Sequence, residues 1–363
     1  MSNDASDALI ELIQRHVAEQ QCVQIAGGNS KAFLGCASGS AQTETTVSTL
    51  DHHGVVNYEP TELVITARSG TPVTTVVKTL EEAGQQLPFE PPQFPNATLG
   101  GTIACGLSGP ARPYLGSARD HMLGARVVNG SGEALRFGGE VMKNVAGYDV
   151  SRVQVGAYGT LGLLLDVSLK VLPLPENTLT LVFEQQAHDT KPMVQLARQF
   201  LPVSASALIG TKRYIRLSGS DAGVHAAARK LGGEMSDDAT LWDSLRDLSH
   251  EFFHDERPTW RVSVADFSPP LNLPDDPDGT PAAVLYDWGG AQRWVKTRAP
   301  ATTLFNMASA LGGHATRFTK GPCDEHAHQP IEGIAARLQK ELRSSFDPQR
   351  LLNRGRFHPE LDS

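Results

Sequence analysis

Cysteine is scarce in this sequence: Cys22, Cys36, Cys105 and Cys323 are the four in 363 residues, far apart and with no CxxC pair. That spacing excludes an iron–sulfur cluster or a thiolate zinc site held by this chain alone, and it reads as reduced cytosolic thiols. Long apolar runs are missing too, none approaching the roughly 18 residues of a membrane span. The first residues are acidic and lack the basic and apolar regions of a secretory signal. Positive charge is in deficit, 32 Lys and Arg against 40 Asp and Glu, for a net charge of −8. Such a surface argues against non-specific binding to nucleic acid or anionic lipid, both of which reward a basic face. The chain therefore reads as a soluble, cytoplasmic protein with no direct membrane insertion. Its length suits two domains, each with its own core.

Glycine is what the sequence has, unevenly. Of 34 glycines, 21 precede residue 173, and 14 of those lie between Pro95 and Leu165, so the first half is where backbone must turn sharply or meet a ligand closely. All four tryptophans (Trp242, Trp260, Trp288, Trp294) fall in the second half. Between the halves, Lys170-Val-Leu-Pro-Leu-Pro-Glu176 ends a strand with two prolines. A domain boundary is placed there, giving units at residues 1–173 and 174–363.

Apolar spacing predicts a helix over residues 7–19, a strand over 22–26, strands over 54–57 and 62–67, and a helix over 73–83 ending at Gly84. Short β pieces follow at 123–128, 133–137 and 161–171. In the second half, strands are expected at 178–183, 205–209, 214–217, 260–264, 283–287, 292–296 and 314–318. Helices are expected at 191–200, 222–231, 241–253, 302–311 and 331–344. Strands and helices in this order make an α+β unit on one sheet.

Two glycine-rich stretches carry the functional argument. Ile25-Ala-Gly-Gly-Asn-Ser-Lys31 follows a strand, and successive amides in such a turn form an anion site to which Asn29, Ser30 and Lys31 can add donors. It is neither a GxxxxGK[ST] nor a GxGxxG loop. Alone it is equally a plain strand-to-loop turn. The second stretch, from Pro95 to Gly109, carries Gly100, Gly101, Gly106 and Gly109 with hydroxyls at Thr98, Thr102 and Ser108 and no acidic side chain. With a third cluster, Gly156-Ala-Tyr-Gly-Thr-Leu-Gly162, these loops can grip an extended dinucleotide from several sides.

The pattern Pro95…Ala97-Thr-Leu-Gly-Gly101…Gly106, then Arg119-Asp-His-Met-Leu-Gly124, then Gly159-Thr-Leu-Gly162, resembles the FAD domain of the vanillyl-alcohol-oxidase (PCMH-type) flavoproteins. Gln85-Gln-Leu-Pro-Phe-Glu-Pro-Pro92, Val141-Met-Lys-Asn-Val-Ala-Gly-Tyr-Asp149 and Asp287-Trp-Gly-Gly-Ala-Gln-Arg-Trp294 are closer still to the FAD-binding subunits of bacterial glycolate oxidases. The resemblance implies a two-part PCMH-type FAD-binding domain followed by an α+β, ferredoxin-like cap, with a C-terminal tail returning to the FAD domain. It implies that Gly27, Gly28, Asn29, Ser30 and Lys31 hold the FAD pyrophosphate. Thr98, Leu99, Gly100, Gly101 and Gly106 would line pyrophosphate and flavin, and Gly162 and Leu163 would present backbone to the cofactor. Lys143, Asn144 and Tyr148 would lie in a polar motif close to the flavin. Relatives with covalent FAD attach it through a His of the first loop; this loop has none, so a non-covalent flavin is expected.

The activity implied is two-electron oxidation of glycolate or another small 2-hydroxy acid. It calls for a cation at the carboxylate and a base at the hydroxyl. Candidate cations are Arg261 and Arg293; candidate bases are His121, Tyr148 and His314. The Glu-His-Gly motif of catalytic 2-hydroxy-acid dehydrogenases is absent. His326 and His328 share a loop with Cys323, but no metal is assigned. The resemblance implies partnership with a second FAD-domain subunit and an iron–sulfur subunit, at the inner-membrane face only through such partners. A flavin-free assembly scaffold and a free-standing flavin oxidoreductase for an acid such as D-lactate are the alternatives.

Overall fold

The computed structural model describes residues 2–35, 45–139, 149–320 and 326–362. Within them the strands gather into two main sheets. Five strands in the order Val55–Glu59, Val64–Arg68, Leu163–Lys170, Met122–Val128 and Ala134–Gly138 pair antiparallel throughout. Ile65, Ala67, Val127, Val167 and Leu169 are fully buried from this sheet, against Val76 and Leu80 of helix Val73–Glu81 and Leu99 and Ile103 of helix Leu99–Cys105. That apolar layer fixes the height of the second glycine stretch over the sheet. A smaller parallel pair, Val23–Ala26 with Thr45–Ser48, carries the first glycine loop at its end.

All other strands but the short Gln85–Gln86 and Leu172–Pro173 pair belong to an eight-stranded antiparallel sheet with helices. Its first four strands run in the spatial order Glu234–Met235, Asn177–Glu184, Lys212–Gly219, Val203–Ile209, with Lys191–Ala197 and Asp221–Leu231 as the intervening helices. This is the split β-α-β-β-α-β arrangement of ferredoxin-like units. Ala283–Asp287, Gln292–Lys296, Thr259–Ser263 and His314–Arg317 extend it. The expected α+β architecture is what the chain adopts: a five-stranded sheet with its helices, then an eight-stranded sheet that opens on a ferredoxin-like unit.

The two sheets are joined by an apolar seam in which Leu34, Leu107 and Tyr158 pack with Leu285, Trp294 and Phe318. Polar ties cross the same seam: Arg216 donates to Glu90 at 2.7 Å and Trp288 Nε1 to the Gly109 carbonyl at 3.0 Å. Two local expectations need correction. Residues 99–105 form a helix rather than open loop, capped where the Gly101 amide donates to Thr98 Oγ1 at 3.3 Å. Burial of Leu99 and Ile103 outweighs the poor helix propensity of adjacent glycines. The helix expected over 241–253 stops at Arg246, because Leu248 takes a left-handed φ of 53° and His250 caps a separate turn.

Candidate functional site

Strand Val23–Ala26 aims residues 27–31 at the glycine-rich helix, and several contacts fix the aim. Asn353 Oδ1 accepts from the Ile25 amide at 2.6 Å, and Asn353 Nδ2 donates to the Tyr158 carbonyl at 2.6 Å, so the C-terminal tail ties the first loop to the third glycine cluster. Arg356 adds a donation to the Lys31 carbonyl at 3.2 Å. Glycine at position 28 is required by closeness: a Cβ there would sit 1.8 Å from the Asn96 carbonyl oxygen. Segments about 70 residues apart in sequence are thus in van der Waals contact.

Their junction is a cavity lined by residues 27–31, Thr98, Gly100, Gly101 and Gly162, with Ser69, Asn353 and Arg356. The amides of Gly27, Gly28, Asn29 and Ser30 donate to no described residue. Lys31, only 5% exposed, has Ser30 Oγ at 3.2 Å and no carboxylate among the described residues; burial pushes its pKa down. Ser69 Oγ is buried on the wall without a partner among the described residues. Free amides, an unneutralised buried ammonium and an orphaned hydroxyl all fit an extended anionic ligand such as the pyrophosphate of FAD.

A second cavity, of about 330 Å³, adjoins the first and shares Cys105 and Tyr158 with it. Arg112, Arg261, His314, His328 and His358 face it. Arg261 stacks over Phe318 at 4.7 Å and Arg112 over Trp288 at 4.4 Å, and neither forms an ion pair among the described residues. Tyr158 lies flat against Phe357, and burial raises its phenol pKa, which keeps the hydroxyl protonated. Burial, followed by neighbouring His358 and Arg261, pushes His328 down to about 3, so its ring is neutral. His358 Nδ1 stands 3.4 Å from Glu360, a contact that orients its imidazole. His314 is exposed at the mouth. Guanidinium groups without counter-charges suit a small carboxylate.

Several anticipated residues sit elsewhere. His121 is buried with Nε2 2.7 Å from the Leu115 carbonyl and its ring stacked on Phe89, in neither cavity. Arg293 is fully buried and donates to the carbonyls of Ser268 and Pro269, both at 2.6 Å, and Gly290; it holds a loop rather than facing a cavity. The Leu99 and Leu163 side chains point into apolar cores, and Gly106 caps its helix on the wall of the second cavity. Lys143, Asn144 and Tyr148 lie outside the described residues. Ser69, Arg112 and His358 carried no sequence signal, being isolated residues brought in by folding. Among the described residues no cluster of three or more His, Cys, Asp or Glu is arranged for a metal, and no helix is long and apolar enough to cross a membrane.

Comparison with known proteins agrees with this geometry. Residues 4–138 match the FAD binding domain family. The glycolate oxidase subunit GlcE of Escherichia coli K12 is 42% identical over 360 residues, 99% of either chain. The glycolate oxidase subunit GlcD of Bacillus subtilis is 32% identical over 128 residues, 35% of this chain and 27% of its own. A solved alkyldihydroxyacetonephosphate synthase superposes with a TM-score of 0.68 at 16% identity, covering 96% of this chain and 74% of that one, a likeness of fold. By these likenesses the chain belongs to the FAD-binding glycolate oxidase subunits related to GlcE, and it is a flavoprotein of FAD-dependent oxidoreductase type.

Proposed function

We propose that the chain holds non-covalent FAD as one subunit of a glycolate oxidase complex that converts glycolate to glyoxylate. The observation that carries this reading is the adjacency of the two cavities, one suited to a pyrophosphate and the other to a small carboxylate, with Tyr158 between them. Residues 27–31, Thr98, Gly100, Gly101, Ser69 and Gly162 would hold FAD, which when bound supplies a two-electron acceptor for hydride from the hydroxyl-bearing carbon. Arg261 and Arg112 would pair with the substrate carboxylate and orient it. The Tyr158 hydroxyl would donate a hydrogen bond, and the imidazoles of His358 and His314 are the groups available to take the hydroxyl proton. Names of relatives, D-lactate dehydrogenase of Anaerostipes hadrus among them, support a 2-hydroxy acid as the substrate class. Electrons would leave through a second FAD-domain subunit and an iron–sulfur subunit, in the cytoplasm or at the inner-membrane face through those partners.

Anaerobic addition of glycolate to the purified chain and to its assembled complex tests this. Bleaching of this chain's flavin in the complex, weakened by Arg261→Met, is the expected result. Flavin that stays oxidised in both preparations would contradict a role in glycolate oxidation.

A further inference from the structure

Beside the arginine-lined cavity lies a groove of about 410 Å³ between the turn Ser151–Gln154 and the C-terminal helix Gly333–Phe346. Arg119, Val155, Gly156 and Phe357 line both spaces, so whatever covers the groove also covers one side of the cavity. The helix presents an apolar stripe that the described residues leave largely exposed. Ile334, Leu338 and Leu342 recur every fourth residue on one face, and Ile334 is 70% and Leu338 54% exposed. Arg343 alone is buried from this helix, so its fixed end is the C-terminal one.

Charge at the groove selects the occupant. Arg119 makes no ion pair among the described residues; Arg152, 41% exposed, pairs with Asp149 at 3.2 Å and donates from Nε to the Met122 carbonyl at 3.4 Å. Arg119 and Arg152 line the groove, and no carboxylate stands with them among its described lining residues; beside an apolar stripe they match an amphipathic segment that is itself acidic. They do not match a basic segment.

We propose that this helix face and groove dock an acidic amphipathic segment of another subunit, whose seating walls one side of the arginine-lined cavity off from solvent. The inference rests on the oxidase-subunit reading only in requiring that another subunit exists. The test uses the native complex, purified through a tag on this chain with all subunits co-expressed. A benzophenone photocrosslinker is placed at position 338 or, as control, at position 235 on the edge strand Glu234–Met235, where Met235 is 62% exposed. The expected result is an adduct from position 338 to one acidic peptide of a different subunit, with none from position 235. Ile334→Asp combined with Leu338→Asp should lower the co-purified subunit at least tenfold while the FAD content per chain stays constant. Adducts to a second copy of this chain, equal labelling from both positions, or unchanged co-purification of the double variant would overturn the docking surface. Loss of FAD from the unsubstituted complex would instead count against the flavoprotein reading, so the two failures are distinguishable.

Discussion

Replacing Lys31 with Met should weaken FAD binding while making the FAD-free protein more stable. The side chain is 5% exposed, its ammonium has one hydroxyl neighbour and no described carboxylate, and burial pushes its pKa below the usual 10.5. In the free protein that ammonium has only Ser30 Oγ and the Phe94 ring, 5.7 Å away, against its burial and no described counter-charge; opposite a pyrophosphate it becomes a charge-assisted donor. Such bonds contribute about 1.5–3 kcal/mol, so the Lys31→Met variant should bind FAD roughly 10- to 150-fold more weakly. Met keeps most of the aliphatic stem and its contacts, and the thermal midpoint of the FAD-free variant should rise. The pH dependence has a definite sign. The unfolded chain binds the Lys31 proton more tightly than the folded one, so stability of the FAD-free protein gains as pH rises through the window below 10.5. The variant should lose that gain. Fluorescence titration with FAD and melting curves across pH measure both effects. An unchanged FAD affinity, or a destabilised FAD-free variant with normal affinity, would refute the assignment of Lys31 to the anion site.

Three further perturbations follow from named contacts. Gly28→Ala puts a methyl 1.8 Å from the Asn96 carbonyl; urea unfolding should show a loss of about 1–3 kcal/mol and the purified protein should carry little flavin. Arg343→Met removes a buried guanidinium that donates to the carbonyls of Thr160 and Leu352 and pairs with Asp362 at 2.9 Å, leaving buried acceptors and a carboxylate unpaired. It should cost about 3–5 kcal/mol by urea unfolding, and a cost below 1 kcal/mol would sink this role. Asp287, fully enclosed and accepting from the Trp288 amide at 2.7 Å, has its pKa raised by burial to about 7. The folded state therefore holds a proton that the unfolded state releases near 3.8, and stability falls as pH rises from about 4 to about 7. Asp287→Asn should flatten that slope in pH-dependent denaturation.

Much of the site was legible because ligand-facing backbone leaves a compositional trace. Residues 27–31 and 98–101 announce themselves through adjacent glycines and hydroxyls, and folding brings them into contact at Gly28 and Asn96. What stayed hidden are lone side chains whose meaning depends on long-range packing. Ser69 is an unremarked residue after strand Val64–Arg68 until its hydroxyl is found on the cavity wall with no partner among the described residues. His358 gains an oriented ring only through Glu360. Arg261 and Arg293 looked alike in sequence, each near a tryptophan. One faces a cavity with no counter-charge among the described residues and the other spends its donors on three carbonyls, a difference set by the strand Gln292–Lys296 and the loop beside it. The helix at 99–105 was obscured for the same reason: its stabilisation comes from buried Leu99 and Ile103, not from local propensity.

The most direct measurement is the visible absorption spectrum of the chain purified alone and again after incubation with FAD. Flavin bands near one equivalent per chain, released intact on denaturation, are expected from the glycine-loop cavity and its buried Lys31. A folded chain that shows no flavin bands even after reconstitution would contradict the assignment of that cavity to FAD.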